Sequence, residues 1–137
     1  MIRTKEGKEQ MKKQILAYNF SGERLSGVKL AAVSVKAVTR EIAKADYGKK
    51  LGCLAGIKGF EDAADTEHED FQEELLLMCG FSGEDIEMLI RSLRKYGVGR
   101  VALKAILTET NTEWTSCELY RAVKQDHEEM LRRRQQQ

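Results

Sequence analysis

The tetrapeptide Phe-Ser-Gly-Glu occurs twice in this 137-residue chain, at Phe20–Glu23 and at Phe81–Glu84. Each copy follows a short apolar run, Ile15–Tyr18 or Leu75–Met78. A second pair of similar motifs comes later in the same order, Val35–Val38 and Leu103–Ile106. Two pairs of motifs in one order predict an internal duplication of a strand-helix-strand unit, with both copies folding alike.

Both tetrapeptides have the features of a helix start. Ser21 and Ser82 are suitable N-cap residues, and an apolar residue stands five positions after each phenylalanine, Leu25 or Ile86. This spacing is typical of the hydrophobic staple around an N-cap. The second copy is seven residues longer between its paired motifs, which predicts a second helix that is longer than the first.

These patterns divide the chain into segments. We predict a flexible lead-in over residues 1–13, one domain over 14–131 and a loose tail over 132–137. Within the domain we predict repeat one at 14–39, a connecting segment at 40–72, repeat two at 73–108 and a C-terminal helix at 115–131. Thr115 and Glu118 fit a capping box at the start of that helix.

Two folds accommodate a duplicated strand-helix-strand unit. The first is an α+β ferredoxin-like sandwich, with both helices on one face of a four-stranded antiparallel sheet. The alternative is an α/β doubly wound sheet with parallel strands, since the segment between the repeats is long enough for a crossover. In the parallel fold both Phe-Ser-Gly-Glu turns lie at one end of the sheet, whereas in the sandwich they lie at opposite ends.

Composition narrows the classes of partner. Charged residues make up 33% of the chain, yet the net charge is only +1, so no long-range field attracts nucleic acid or a membrane. The first 13 residues lack the apolar core of a signal peptide, and we expect a cytoplasmic location. The three cysteines form no Cys-x-x-Cys pair, and we expect no metal and no cofactor.

The connecting segment is strongly acidic. Eight of the fourteen residues from Glu61 to Glu74 are Asp or Glu. Such a run is typical of a solvated connection. Hard cations also favour oxygen ligands at this density, but the spacing is not that of a calcium loop, so the pattern leaves cation binding open.

The best candidate for a site is the polar loop that precedes the last helix. Thr108, Asn111 and Trp114 lie in a stretch dense in hydroxyl and amide groups, just after the predicted strand that carries Lys104. Such a loop either folds on itself through side-chain to backbone hydrogen bonds or presents donors to a ligand at the end of the strand. We predict these four residues as ligand-binding candidates and assign no catalytic residue.

The second half of the chain resembles a known family. The resemblance rests on Leu75–Gly83, Leu103–Thr108, Asn111, Trp114–Thr115 and Glu118–Leu119. These residues are similar to the bacterial family called domain of unknown function 3783. The resemblance implies a small cytosolic bacterial protein and marks Lys104, Thr108, Asn111 and Trp114 as positions of the family pattern. It carries no known activity.

Three functional hypotheses follow. The first is a non-enzymatic binding or regulatory module that takes a small-molecule ligand or forms a homodimer. The second is an enzyme of unrecognised type that uses the 108–115 loop with Lys36 or Lys104, because a lysine whose pKa is lowered by burial serves as a base or nucleophile. The third is an adaptor that binds another protein through the C-terminal helix.

Overall fold

The structure, a computed structural model, describes residues 12–60 and 68–135. The first β-α-β unit consists of β1 (Gln14–Tyr18), α1 (Gly22–Ser34) and β2 (Val38–Glu41). The second consists of β3 (Leu75–Cys79), α3 (Gly83–Lys95) and β4 (Leu103–Ile106). A one-turn helix, α2 (Leu51–Leu54), lies between the units, and a long helix, α4 (Ser116–Gln135), follows them. Most of the predicted lead-in and part of the acidic segment lie outside the described residues.

The predicted duplication is confirmed, because the two units share element order and length. Each unit begins with a strand of five residues and continues with a helix of 13 residues. Residues separated by 61 positions also share unusual backbone conformations. Asn19 and Gly80 have φ angles of 67° and 78°, and Lys36 and Gly97 have φ angles of 61° and 85°. Both units therefore turn the chain in the same way before and after the helix.

Two details of the predicted repeat are wrong. The second helix is not longer than the first, since both have 13 residues. The second unit is longer in the connection after the helix, which spans 96–102 there and only 35–37 in the first unit. The motifs Val35–Val38 and Leu103–Ile106 are not equivalent either. Val38 pairs with the first residue of β1, as Leu103 pairs with the first residue of β3, so Val35 lies in the turn before β2.

The four strands form one mixed sheet in the order β2-β1-β3-β4. The strands of each unit are parallel neighbours, and β1 and β3 pair antiparallel at the centre, with Leu16 opposite Leu77. The predicted α+β class is confirmed, but the strand arrangement differs from both predicted folds. A ferredoxin-like sandwich interleaves the strands of its two units, and a doubly wound sheet keeps them all parallel. The two Phe-Ser-Gly-Glu turns lie at opposite ends of this sheet.

Both faces of the sheet are covered, which explains why β1 and β3 are buried along their whole length. Ile15 and Leu76 face α1 and α3, whereas Leu16 and Leu77 face the layer that contains α2 and α4. A sandwich with helices on one face only would leave Leu16 and Leu77 in water. Continuous apolar runs are typical of strands that are covered on both faces.

The helix ends follow most of the sequence signals. Ser82 accepts a hydrogen bond from the backbone N–H of Asp85, and the Asp85 carboxylate accepts one from the backbone N–H of Ser82, which completes a capping box. Ser21 occupies the N-cap of α1 without a side-chain hydrogen bond. Helix α4 continues to Gln135, so the first residues of the predicted loose tail are helical. Neither Gly nor Pro interrupts this segment, and its arginines complement the helix dipole.

Candidate functional site

The four predicted ligand-binding residues lie in two different places. Thr108, Asn111 and Trp114 belong to the loop between β4 and α4. Lys104 lies within β4 and lines a cleft that none of the other three residues lines. The structure therefore separates the polar loop from the lysine.

Asn111 holds the polar loop in shape. Its side chain is 7% exposed, and its amide oxygen accepts a hydrogen bond of 2.8 Å from the backbone N–H of Thr108. Its amide nitrogen donates a hydrogen bond of 3.0 Å to the carbonyl oxygen of Ile106. The backbone N–H of Asn111 donates in turn to the Thr108 hydroxyl. Both polar atoms of the Asn111 side chain are thus engaged with the loop that carries them.

Trp114 and Thr115 connect this loop to the rest of the domain. The carbonyl oxygen of Trp114 accepts a hydrogen bond of 2.8 Å from the backbone N–H of Leu51, and its ring packs against the core between the sheet and α4. Thr115 and Glu118 exchange backbone to side-chain hydrogen bonds at the start of α4. The predicted capping box is confirmed, and the loop fixes the position of α4.

The cleft around Lys104 has a volume of about 280 Å³. Its walls come from α3, from the connection between α3 and β4, and from β4 itself. They are formed by Ile90, Leu93, Arg94, Gly99, Arg100, Val101 and Lys104. We call this feature the basic cleft, because it contains three cationic side chains and no Asp or Glu.

The positive charges of the basic cleft have no ion-pair partner within residues 12–60 and 68–135. None of Arg94, Arg100 and Lys104 takes part in an ion pair among the residues that the structure describes. Burial and the positive charge of Arg100 lower the pKa of Lys104, whose ammonium group donates a hydrogen bond to the carbonyl oxygen of Val101. Arg94 lies in the last turn of α3, where the helix dipole favours a cation. Arg100 also lines the groove beside α4 that contains Glu73, Glu74 and Glu128. An anion between Arg100 and Lys104 would relieve the repulsion between these two side chains.

The basic cleft exists only in the second unit. The longer connection places Arg100 in the cleft, and it turns at Gly97 and Gly99, which have φ angles of 85° and 70°. Glycine adopts this left-handed conformation without strain. In the first unit, the position that corresponds to Arg94 is Val33, and the register of β2 places Thr39 where β4 has Lys104.

A larger cleft of about 560 Å³ lies at the start of α4, and its lining includes His68 and Cys117. Most of its polar groups already bond to one another. Lys50 pairs with Glu113 at 3.0 Å, and the Cys117 thiol donates a hydrogen bond to the carbonyl oxygen of Glu69. Burial raises the pKa of the Cys117 thiol, which keeps it protonated and weakly nucleophilic at neutral pH.

Arg94 and Arg100 were missed at the level of sequence. Neither residue belongs to a motif that the sequence analysis identified. The usable signal was the pair Gly97 and Gly99 between cationic residues, because a glycine-rich connection brings its neighbours close to a helix end.

Comparison with known families matches the second unit and most of α4. Residues 74–130 match the model of the family called domain of unknown function 3783. The match confirms the resemblance over these residues and includes the whole basic cleft. Comparison with curated proteins and with solved structures gives no match.

Over 12–60 and 68–135, no helix is long and apolar enough to cross a membrane. In the same ranges, no group of three or more His, Cys, Asp or Glu side chains is arranged to hold a metal ion.

Proposed function

We propose that this chain is a non-enzymatic binding module that holds a small anionic ligand in the basic cleft. The ligand carries a phosphate or carboxylate group, which lies between Arg100 and Lys104. The observation that supports this proposal is the convergence of three cationic side chains without a carboxylate among the residues that line the cleft.

The shape and the lining of the cleft suit such a ligand. Its volume of about 280 Å³ is close to the lower end for small-molecule sites, so the ligand is small. Leu93 and Val101 are buried and give the cleft an apolar wall. Lys104 is half-buried whereas Arg94 and Arg100 are exposed, so the charge-assisted hydrogen bond from Lys104 is the least screened by water.

An enzymatic role for Lys104 is the second candidate, and the lowered pKa of this residue favours it. An amine with a lowered pKa is neutral more often and is therefore a better nucleophile or base. Lys36 is the weaker candidate of the two lysines, because it is exposed in the turn after α1. The two candidates differ in what they need at position 104: binding needs a positive charge, whereas catalysis needs an amine.

Thermal unfolding in the presence of inorganic phosphate tests the proposal, with sulfate and acetate as further arms. A concentration of ten times the dissociation constant should stabilise the protein by about 1.4 kcal/mol, or roughly 5 °C in Tm. We expect K104M to remove most of this gain and K104R to keep it. Stabilisation by acetate as well as by phosphate would identify a carboxylate-tolerant site.

Arg91 supplies the matched control, since it lies exposed on α3 and does not line the cleft. R91Q should respond to phosphate as the wild type does. Equal stabilisation of wild type and K104M by phosphate would refute the proposal, because the effect would then be a general effect of salt. Loss of binding in K104R would instead favour the amine role.

The cytoplasm remains our proposed location. All three cysteines are free thiols in the structure, and two of them are buried. Free thiols are typical of proteins that work in a reducing compartment.

A further inference from the structure

Helix α4 is much longer than the strand beside it. Its 20 residues span about 30 Å, whereas the four residues of β4 span about 13 Å. Its buried residues, Ser116, Cys117 and Leu119, all lie near its start. The second half of α4 thus extends past the core that holds the first half.

The second half nevertheless exposes two large apolar side chains, Met130 and Leu131, beyond Val123, which packs against the core. Val123, His127 and Met130 are spaced by four and three residues, so they lie on one face of the helix. Met130 and the adjacent Leu131 are each 39% exposed. A groove of about 440 Å³ runs beside this half of the helix. Its apolar lining is Ala102, Leu103 and Leu131, and its ionisable lining is Glu73, Glu74, Arg100, Lys124, His127 and Glu128. A helix that lay in this groove would cover the exposed apolar side chains.

Charge along α4 changes sign within one turn. The carboxylate segment, Asp126–Glu129, contains three acidic residues, and the arginine segment, Arg132–Arg134, contains three arginines. One pair joins the segments within the helix, but it is 3.9 Å long and the Arg133 side chain is 79% exposed. An exposed pair of this kind contributes little stability. Most of these charges therefore remain available to a partner.

A helix with this charge order complements itself only when the second copy runs in the opposite direction. In an antiparallel pair that is centred near Met130, the carboxylate segment of each copy faces the arginine segment of the other. A parallel pair would place like charges together. Isologous contacts of this type generate closed dimers with twofold symmetry.

We propose that the second half of α4 is a homodimer surface, on which two copies of this chain pair through antiparallel α4 helices. Met130 and Leu131 lie near the twofold axis and enter the groove that is lined by Leu103. One helix end against one groove is a small contact, and weak complexes lie at the low end of interface size, so we expect a dimer that dissociates on dilution. Arg100 lines both this groove and the basic cleft, but the charge variants of α4 described below change no residue that lines the cleft.

Sedimentation velocity between 1 and 500 µM, with two charge variants, tests the inference. The first variant replaces the arginine segment with three glutamates, R132E/R133E/R134E. The second replaces the three carboxylates of the other segment with lysine. We expect each variant alone to dimerise at least tenfold more weakly than the wild type. An equimolar mixture of the two should dimerise again, because each arginine or lysine helix then faces a glutamate helix.

R91E serves as the matched control for a charge reversal on another exposed helix face, and circular dichroism verifies that each variant keeps its helical content. A third variant, M130E, places a charge at the centre of the contact and should also weaken dimerisation. A wild type that remains monomeric at 500 µM would overturn the inference. So would dimerisation of both charge variants alone with the affinity of the wild type, or their failure to form dimers when mixed.

Discussion

Replacement of Asn111 by Ala should destabilise the fold without weakening the binding of anions. The side chain is 7% exposed and makes two hydrogen bonds to the loop backbone, from the N–H of Thr108 and to the carbonyl oxygen of Ile106. Each hydrogen bond contributes about 1 kcal/mol, and its loss leaves a poorly solvated backbone group without a partner. We therefore expect the free energy of unfolding to fall by about 2–3 kcal/mol.

Urea denaturation measures this change directly. The midpoint should fall while the slope of the free energy against urea concentration stays constant, because the surface exposed on unfolding is nearly the same. A loss of this size corresponds to roughly 10 °C in Tm. The affinity for inorganic phosphate should change by less than about twofold once folding is complete, since Asn111 does not line the basic cleft.

Thr112 provides the control within the same loop. Its hydroxyl donates a hydrogen bond of 2.8 Å to the carbonyl oxygen of Glu109 in an exposed position. T112A should cost less than about 0.5 kcal/mol, because water replaces the lost partner. If N111A were as stable as T112A but no longer bound phosphate, Asn111 would be a ligand-binding group and its assignment to loop structure would be wrong.

Two further predictions concern stability. Hydrogen bonds from Lys124 and Tyr120 lower the pKa of Glu73 from 4.5 to about 2, so the stabilisation from its carboxylate is present above pH 4.5 and is lost as the pH falls toward 2. E73Q should flatten the acid limb of the unfolding free energy between these pH values, and an unchanged limb would contradict the assignment. K36G should raise the free energy of unfolding by up to about 1 kcal/mol, because Lys36 adopts a φ of 61° where the second unit has Gly97. This gain would appear as a higher urea midpoint. A lower midpoint would show that the entropy of the unfolded chain outweighs the relief of strain.

The elements that follow from local signals were predictable. The apolar runs 15–18 and 75–78 form most of the two central strands. Ser82 caps α3, with hydrogen bonds to Asp85 through both its hydroxyl and its backbone N–H. These features depend on residues within five positions of one another. Periodicity and capping chemistry describe such distances well.

Strand order was not predictable in the same way. The apolar pattern of β1 and β3 satisfies any sheet that is covered on both faces, and it does not specify which strands are neighbours. The position of β2 was also misjudged, because the motif Val35–Val38 was taken as equivalent to the strand motif Leu103–Ile106. Val35 instead follows the end of α1, where its contacts with the core between α3 and the sheet override intrinsic preference.

The candidate site was predictable only in part, for a related reason. Lys104 was identified, but Arg94 and Arg100 approach it through the path of the connection after α3. That path depends on two left-handed glycines and on the direction of β4. The polar loop was predicted as a site from its composition. Hydroxyl and amide side chains form hydrogen bonds to the backbone of their own loop as readily as they bind a ligand.

The comparison of the two units explains why the site lies where it does. Both strands at the centre need cover on both faces, and α4 together with its preceding loop supplies that cover for Leu16 and Leu77. The hydrogen bonds of Asn111 and the carbonyl contact of Trp114 are therefore committed to docking α4. Seven residues after α3, in place of three after α1, are the main backbone difference between the units, and this difference carries Arg100. The proposed binding of an anion therefore depends on the connection after α3. Shortening it to the length found in the first unit should remove the cleft while the sheet remains intact.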